Sequence, residues 1–129
     1  MLKYKNLLIC LGLISLDQII KMTLKNCDQI VIIKNILSID IYGNGKMSLG
    51  IALMLFSSIT ILIAIMNNYN FINIGIFIIF AGVSSNLIDL LLIGFVIDWI
   101  NLGSRIAFNL ADVYILLGIV VITRKFSKT

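Results

Sequence analysis

The chain has 129 residues, of which 60% are hydrophobic and 12% charged, with a mean hydropathy of +1.12. A soluble domain carries about 25% charged residues, so this composition excludes one and points to an integral membrane protein. The net charge of +4 sits on residues that flank apolar stretches; that pattern anchors helices at a membrane surface, and no nucleic-acid partner is expected.

The N-terminus has the basic start and apolar run of a signal peptide, but no small-x-small cleavage site precedes Asp17. The expectation is an uncleaved first helix over about 6–22. Cys10 follows Ile9 rather than a small residue, and with Cys27 it makes no metal-ligand spacing, so both thiols read as passive. The connection 23–46 is long. It mixes short β-type alternation of isoleucines with turn signals at Lys34-Asn35 and Gly43-Asn44-Gly45, and predicts a small curled sheet at the membrane surface. Residues 48–66 are uncharged and predict a second helix, followed by a tight NNYN turn at 67–70. Residues 71–93 predict a third, carrying Asp89, and 106–123 a fourth, carrying Asp112.

The fold expected is therefore an all-α polytopic membrane protein. It is one domain over 1–129, with four transmembrane helices and a small extracytoplasmic β-sheet cradle after the first. Basic residues divide evenly between the two sides, but Lys3, Lys5, Arg124, Lys125 and Lys128 crowd the helix ends. That places both termini in the cytoplasm, and four crossings agree in putting them on one side.

All six acidic residues are Asp. On this topology Asp17, Asp28, Asp40, Asp89, Asp98 and Asp112 gather toward one membrane face, whereas a proton-transport chain would spread them through the bilayer. A charged group in a spanning helix costs about 2.5–3.5 kcal/mol to insert and is a functional candidate. Gly82, Asn86 and Asp89 fall on one helix face, and Asn109 and Asp112 lie at i, i+3. The bland alternative is that these groups only hold helices together by hydrogen bonds. For Asp17 and Lys21, an i, i+4 ion pair at a helix end is the favoured reading.

The chain has no His and no Glu, which removes Ser–His and Cys–His nucleophile pairs and H-E-x-x-H metal sites. A Ser–Lys pair rests on nothing more than the closeness of Ser48 to Lys46. No cofactor and no metal are expected. What remains is a pair of carboxylates. Two brought close repel as anions and share a proton, so one can take a proton from water while the other donates to a carbonyl oxygen. That is aspartic peptide hydrolysis, and near a membrane surface it suits a lipid-anchored substrate.

Five ordered blocks, LDQIIK at 16–21, NGKMSLG at 44–50, GVSSNLID at 82–89, VIDWI at 96–100 and FNLAD at 108–112, make the whole chain resemble lipoprotein signal peptidase (signal peptidase II). That family is a group of bacterial inner-membrane aspartic endopeptidases that remove signal peptides from diacylglyceryl-modified prolipoproteins. The resemblance implies Asp98 and Asp112 as the catalytic dyad and Asn109 as the neighbour that orients dyad or substrate. It implies Asn86, Asp89, Asn44, Asp17 and Lys21 as substrate-binding or supporting residues, and a lid helix between Asp98 and Asp112. It also implies a multi-pass inner-membrane enzyme, active near the extracytoplasmic face as a monomer, whose partners are the lipid-modified prolipoprotein and membrane lipids.

Four departures stand out, the first being that the Asp98–Asp112 segment is shorter than the family's, which implies a trimmed lid. Leu90 occupies the position where the family has Arg, the second block reads Asn44-Gly45-Lys46-Met47 in place of N-x-G-A, and no Pro precedes FN. Arg105 or Lys46 is a candidate source of the missing charge. The competing readings are a catalytically impaired homologue that binds lipopeptide and an unrelated small membrane accessory protein.

Overall fold

The computed structural model describes residues 2–44, 58–59, 73–103 and 106–126. In chain order the elements are α1 (Leu2–Leu24), β1 (Ile30–Ile33), β2 (Leu37–Asn44), α2 (Asn73–Ile93), β3 (Val96–Leu102), β4 (Ile106–Phe108) and α3 (Leu110–Phe126). The expected second helix falls outside the described residues, except for 58–59, which are helical; so do the 67–70 turn, Lys46 and Arg105.

The expectation of an all-α class needs correcting. Besides the helical pair 58–59, the described residues form three helices and one antiparallel sheet of four strands, in the order β1-β2-β3-β4. Half of that sheet comes from the stretch where a lid helix was expected. Residues 96–102, VIDWINL, are rich in β-branched and aromatic side chains, which suit a pleated strand better than a helix. The turn after them has Gly103 at φ +62°, and the chain comes back as β4, pairing Ile106 with Leu102 and Phe108 with Ile100. Residues 106–108 are thus strand, and α3 starts at Leu110 rather than at 106.

Two stretches, Lys5–Leu24 and Ile74–Ile93, are each 20 residues long and apolar enough to cross a membrane. The distribution of side chains agrees. Leu92 is 77% exposed and Leu116 65%, while Asp17 and Lys21 are 0% and 1% exposed. Leucines outside and ionic groups inside invert the soluble pattern, and lipid is the surrounding that makes such an arrangement favourable. α1 packs along α2, and α2 packs most extensively on α3.

The α2–α3 contact is built on Ile79, Val83 and Ile115 and on close backbone approach. A Cβ on Gly82 would sit inside van der Waals contact of the Ala111 carbonyl oxygen and 2.9 Å from Cγ1 of Ile115. A Cβ on Gly12 would meet nothing within 4 Å. Gly82→Ala is accordingly expected to lower the thermal unfolding midpoint in detergent, at an overpacking cost of about 1–3 kcal/mol. Gly12→Ala is expected to leave it unchanged or raised. Equal midpoints for the two variants would contradict this packing.

Candidate active site

The chain turns from β4 into α3 at Asn109, and the turn is made by two reciprocal hydrogen bonds. Asp112 N–H donates to Asn109 Oδ1 at 3.0 Å, and Asn109 N–H donates to Asp112 Oδ2 at 3.1 Å. This is a capping box with Asn at the cap and Asp three residues on. The N-x-x-D spacing therefore has a local structural reason, and it fixes Asp112 in the first turn of α3, where the helix dipole favours an anion.

The Asn109 side chain also reaches away from its helix. Its Nδ2 donates to Asp98 Oδ1 at 2.9 Å, to Asn86 Oδ1 at 3.0 Å and to the Ile97 carbonyl at 3.2 Å. Two amide protons serve three acceptors, so at least one is shared. Asn109 thus touches both aspartates, holding Asp98 through its amide nitrogen and Asp112 through its capping bonds.

Asp98 is brought there by the end of α2. Gly94 has φ +87°, a left-handed conformation that costs a side-chain-bearing residue about 1–2 kcal/mol, and its N–H closes on the Leu90 carbonyl at 3.1 Å. The chain reverses and enters β3 two residues later. Ile97 N–H then donates to Asp89 Oδ2 at 3.2 Å, which ties the strand carrying Asp98 to the helix carrying Asp89.

Behind this stands an ionic cluster. Lys21 Nζ lies 2.7 Å from Asp17 Oδ2 and 2.7 Å from Asp89 Oδ2, and donates to Asn86 Oδ1 at 3.1 Å. Asn86 Nδ2 in turn donates to Asp112 Oδ1 at 2.9 Å. An ammonium can only donate, so it requires the oxygen of the Asn86 amide on its own side and leaves the nitrogen for Asp112. Lys21 on α1 is thereby coupled to Asp112 on α3 through one amide on α2.

Of the residues singled out from sequence, Asp17, Lys21, Asn86, Asp89, Asp98, Asn109 and Asp112 fall in one connected network. Asn44 is placed by backbone register alone, at the end of β2 opposite Val96, while Tyr42 pairs with Asp98. The expected i, i+4 ion pair of Asp17 and Lys21 forms in the last turns of α1, buried and shared with Asp89 on α2.

Two members were missed. Gln18 Nε2 donates to Asp89 Oδ1 at 2.9 Å and to Ser85 Oγ at 3.0 Å, and Ser85 Oγ donates to Asp17 Oδ2 at 2.6 Å. Ser85 lies one helical turn before Asp89 and Gln18 directly follows Asp17, which are the signals that could have found them. Leu90 is half-buried beside Asp89. Among the described residues, the cation ion-paired in the cluster is Lys21.

Two solved structures, both described as a bacterial membrane enzyme structure by the in meso method, share this fold. One, at 2.3 Å resolution, has a TM-score of 0.75 and 24% identity, covering 96% of this chain and 88% of that one. The other, at 1.9 Å, has a TM-score of 0.74 and 24% identity, covering 95% and 92%. No curated protein matches the sequence. The family described as signal peptidase (SPase) II matches residues 9–127. With nearly the whole length matched, the chain belongs to the signal peptidase II family, which makes it a membrane protease of the lipoprotein signal peptidase kind.

Proposed function

We propose that this member is an aspartic endopeptidase, with Asp98 and Asp112 as its dyad, that removes the signal peptide from diacylglyceryl-modified prolipoproteins. The observation that carries the reading is Asn109, which bonds both carboxylates, that of Asp98 through its side-chain amide and that of Asp112 through its backbone N–H. In the reaction, water attacks the scissile carbonyl carbon as the ionised aspartate takes its proton. The protonated aspartate donates to the carbonyl oxygen. The tetrahedral intermediate then collapses, with the C–N bond breaking and a proton passing to the leaving amine.

The same proposal includes four crossings, with the second apolar segment as the remaining helix, and both termini in the cytoplasm. It places the protein in the bacterial inner membrane as a monomer without cofactor, with its site at the extracytoplasmic face. The gathering of Asp17, Asp89 and Asp112 at the helix ends that adjoin the sheet supports a site at that depth. Leu90, where the family has Arg, favours a second reading, a homologue that binds lipopeptide without cutting it. Arg105 and Lys46 remain candidates for the missing charge.

The deciding experiment offers the purified protein in detergent a prolipoprotein with and without its diacylglyceryl group. Cleavage of the lipidated form alone is expected. Equal cleavage of both forms would remove lipid recognition from the proposal, and binding without cleavage by folded protein would establish the second reading.

A further inference from the structure

Among the described residues, three buried side-chain atoms find no hydrogen-bond partner: Asp17 Oδ1, Tyr114 Oη and the indole nitrogen of Trp99. Native interiors leave few such atoms, and each calls for a reason. Two of the three belong together. Asp17 is on α1 and Tyr114 on α3, two helices that touch, and the Tyr114 hydroxyl lies within electrostatic reach of the Asp17 carboxylate. One atom is an acceptor and the other can donate.

A count of donors shows that the ionic cluster cannot serve Asp17 Oδ1 by itself. Oδ2 takes both Ser85 Oγ at 2.6 Å and Lys21 Nζ at 2.7 Å. The three protons of the Lys21 ammonium go to Asp17 Oδ2, Asp89 Oδ2 and Asn86 Oδ1. The Ser85 hydroxyl has one proton, and it goes to Oδ2. The amide protons of Gln18 go to Asp89 Oδ1 and to the Ser85 hydroxyl and carbonyl. Nothing remains for Oδ1. Tyr114 is 6% exposed and Asp17 0%, so bulk solvent does not answer either atom. A buried carboxylate oxygen left without a donor carries its full desolvation penalty.

We infer that one internal water molecule is held between α1 and α3, accepting the Tyr114 O–H and donating to Asp17 Oδ1. The two atoms do not bond each other directly. Buried polar groups just beyond bonding reach are joined by water, and two polar partners suffice to hold one. This water closes a ring of contacts. Asp112 accepts from Asn86, Asn86 accepts from Lys21, and Lys21 pairs with Asp17. Asp17 reaches Tyr114 through the water, and Tyr114 is two residues from Asp112 on the same helix. With only Oδ2 engaged, the Asp17 carboxylate can pivot about that oxygen and take the Lys21 ammonium with it. With both oxygens engaged its plane is fixed, and so is the direction from which Lys21 meets Asn86. Tyr114 is therefore a positioning residue for Asp112, through its hydroxyl rather than its ring. That role rests on the peptidase reading above; the water itself does not.

The first test is a crystal structure of the full chain grown in a lipid mesophase, fine enough to show ordered water, for the parent and for Tyr114→Phe. The parent is expected to hold one water within hydrogen-bond distance of both Tyr114 Oη and Asp17 Oδ1, and Tyr114→Phe to lack it. A direct bond between the two side chains, or no water between them, overturns the site. A water that stays in place in Tyr114→Phe also overturns it, because the hydroxyl is then not what holds it.

The second test is kinetic, run well below the unfolding midpoint on a diacylglyceryl-modified prolipoprotein. Tyr114→Phe is expected to lower kcat several-fold at unchanged KM. Tyr114→Leu, which removes the ring as well, is expected to lower the thermal midpoint further while giving the same kcat as Tyr114→Phe. Parent-like kcat in Tyr114→Phe, with a loss only in Tyr114→Leu, contradicts the positioning role and assigns the residue to packing. The crystallographic test needs no catalysis. A protein that held the water and cut nothing would sink the peptidase reading and leave the water site standing.

Discussion

Asp98→Asn and Asp112→Asn are each expected to reduce cleavage of a diacylglyceryl-modified prolipoprotein by roughly 10²–10⁴-fold, the range set by removing a positioned acid or base. Both substitutions conserve shape. At 98 the amide oxygen still accepts from Asn109 Nδ2, so the bond at 2.9 Å survives. At 112 one oxygen replaces two, and the residue keeps either its capping bond from Asn109 N–H or its bond from Asn86 Nδ2. The expected loss of stability at 112 is therefore that of one hydrogen bond, about 1 kcal/mol. Thermal unfolding midpoints near the parent's, with cleavage gone, separate chemistry from folding. Asp28→Asn is the control, since Asp28 is exposed in the connection between α1 and β1 and is expected to cleave like the parent. If one of the two site variants keeps full activity, the dyad is wrong. If both do, the reaction runs through neither of these two carboxylates.

How far the sequence alone carries this site depends on the range of the interaction. The spacing of Asn109 and Asp112 is legible because a capping box is a local motif, closed within one helical turn. The β1–β2 hairpin is legible for the same reason: Lys34-Asn35 is a turn signal, and Asn35 indeed takes a positive φ of 61°. Between Asp98 and Asp112 the resemblance alone implies a trimmed lid helix. The composition of 96–108, β-branched and aromatic side chains around a Gly-containing turn, already spoke for a hairpin. The meeting of Lys21 with Asn86 is another matter. The two are separated by 65 positions, and nothing in either helix states which face of α1 will meet α2. Polar residues in apolar helices announce that they need partners without naming them.

Lys21 is where that unread contact matters most. Its ammonium stands between two carboxylates that are themselves 0% and 1% exposed. Taking the groups by formal charge, Asp17, Lys21 and Asp89 together carry one negative charge, and Lys21→Met raises that to two with no cation between them. Breaking a buried pair in this way costs about 3–5 kcal/mol, because the remaining charges are left uncompensated. The thermal midpoint of Lys21→Met is expected to fall accordingly. A second loss is expected in turnover. Without Lys21, Asn86 Oδ1 keeps the Asn109 Nδ2 donor at 3.0 Å alone, so the amide whose nitrogen donates to Asp112 Oδ1 at 2.9 Å is held less firmly. The double variant Asp17→Asn with Lys21→Met separates the two effects, since it restores the formal count of one negative charge without restoring the donor to Asn86. Stability is expected to recover substantially, while kcat stays low and KM is little changed. That split identifies Lys21 as a positioning residue for Asp112 acting through Asn86. Recovery of kcat in step with stability would reduce Lys21 to a structural counter-ion. A Lys21→Met variant as stable and active as the parent would mean that the cluster contributes to neither.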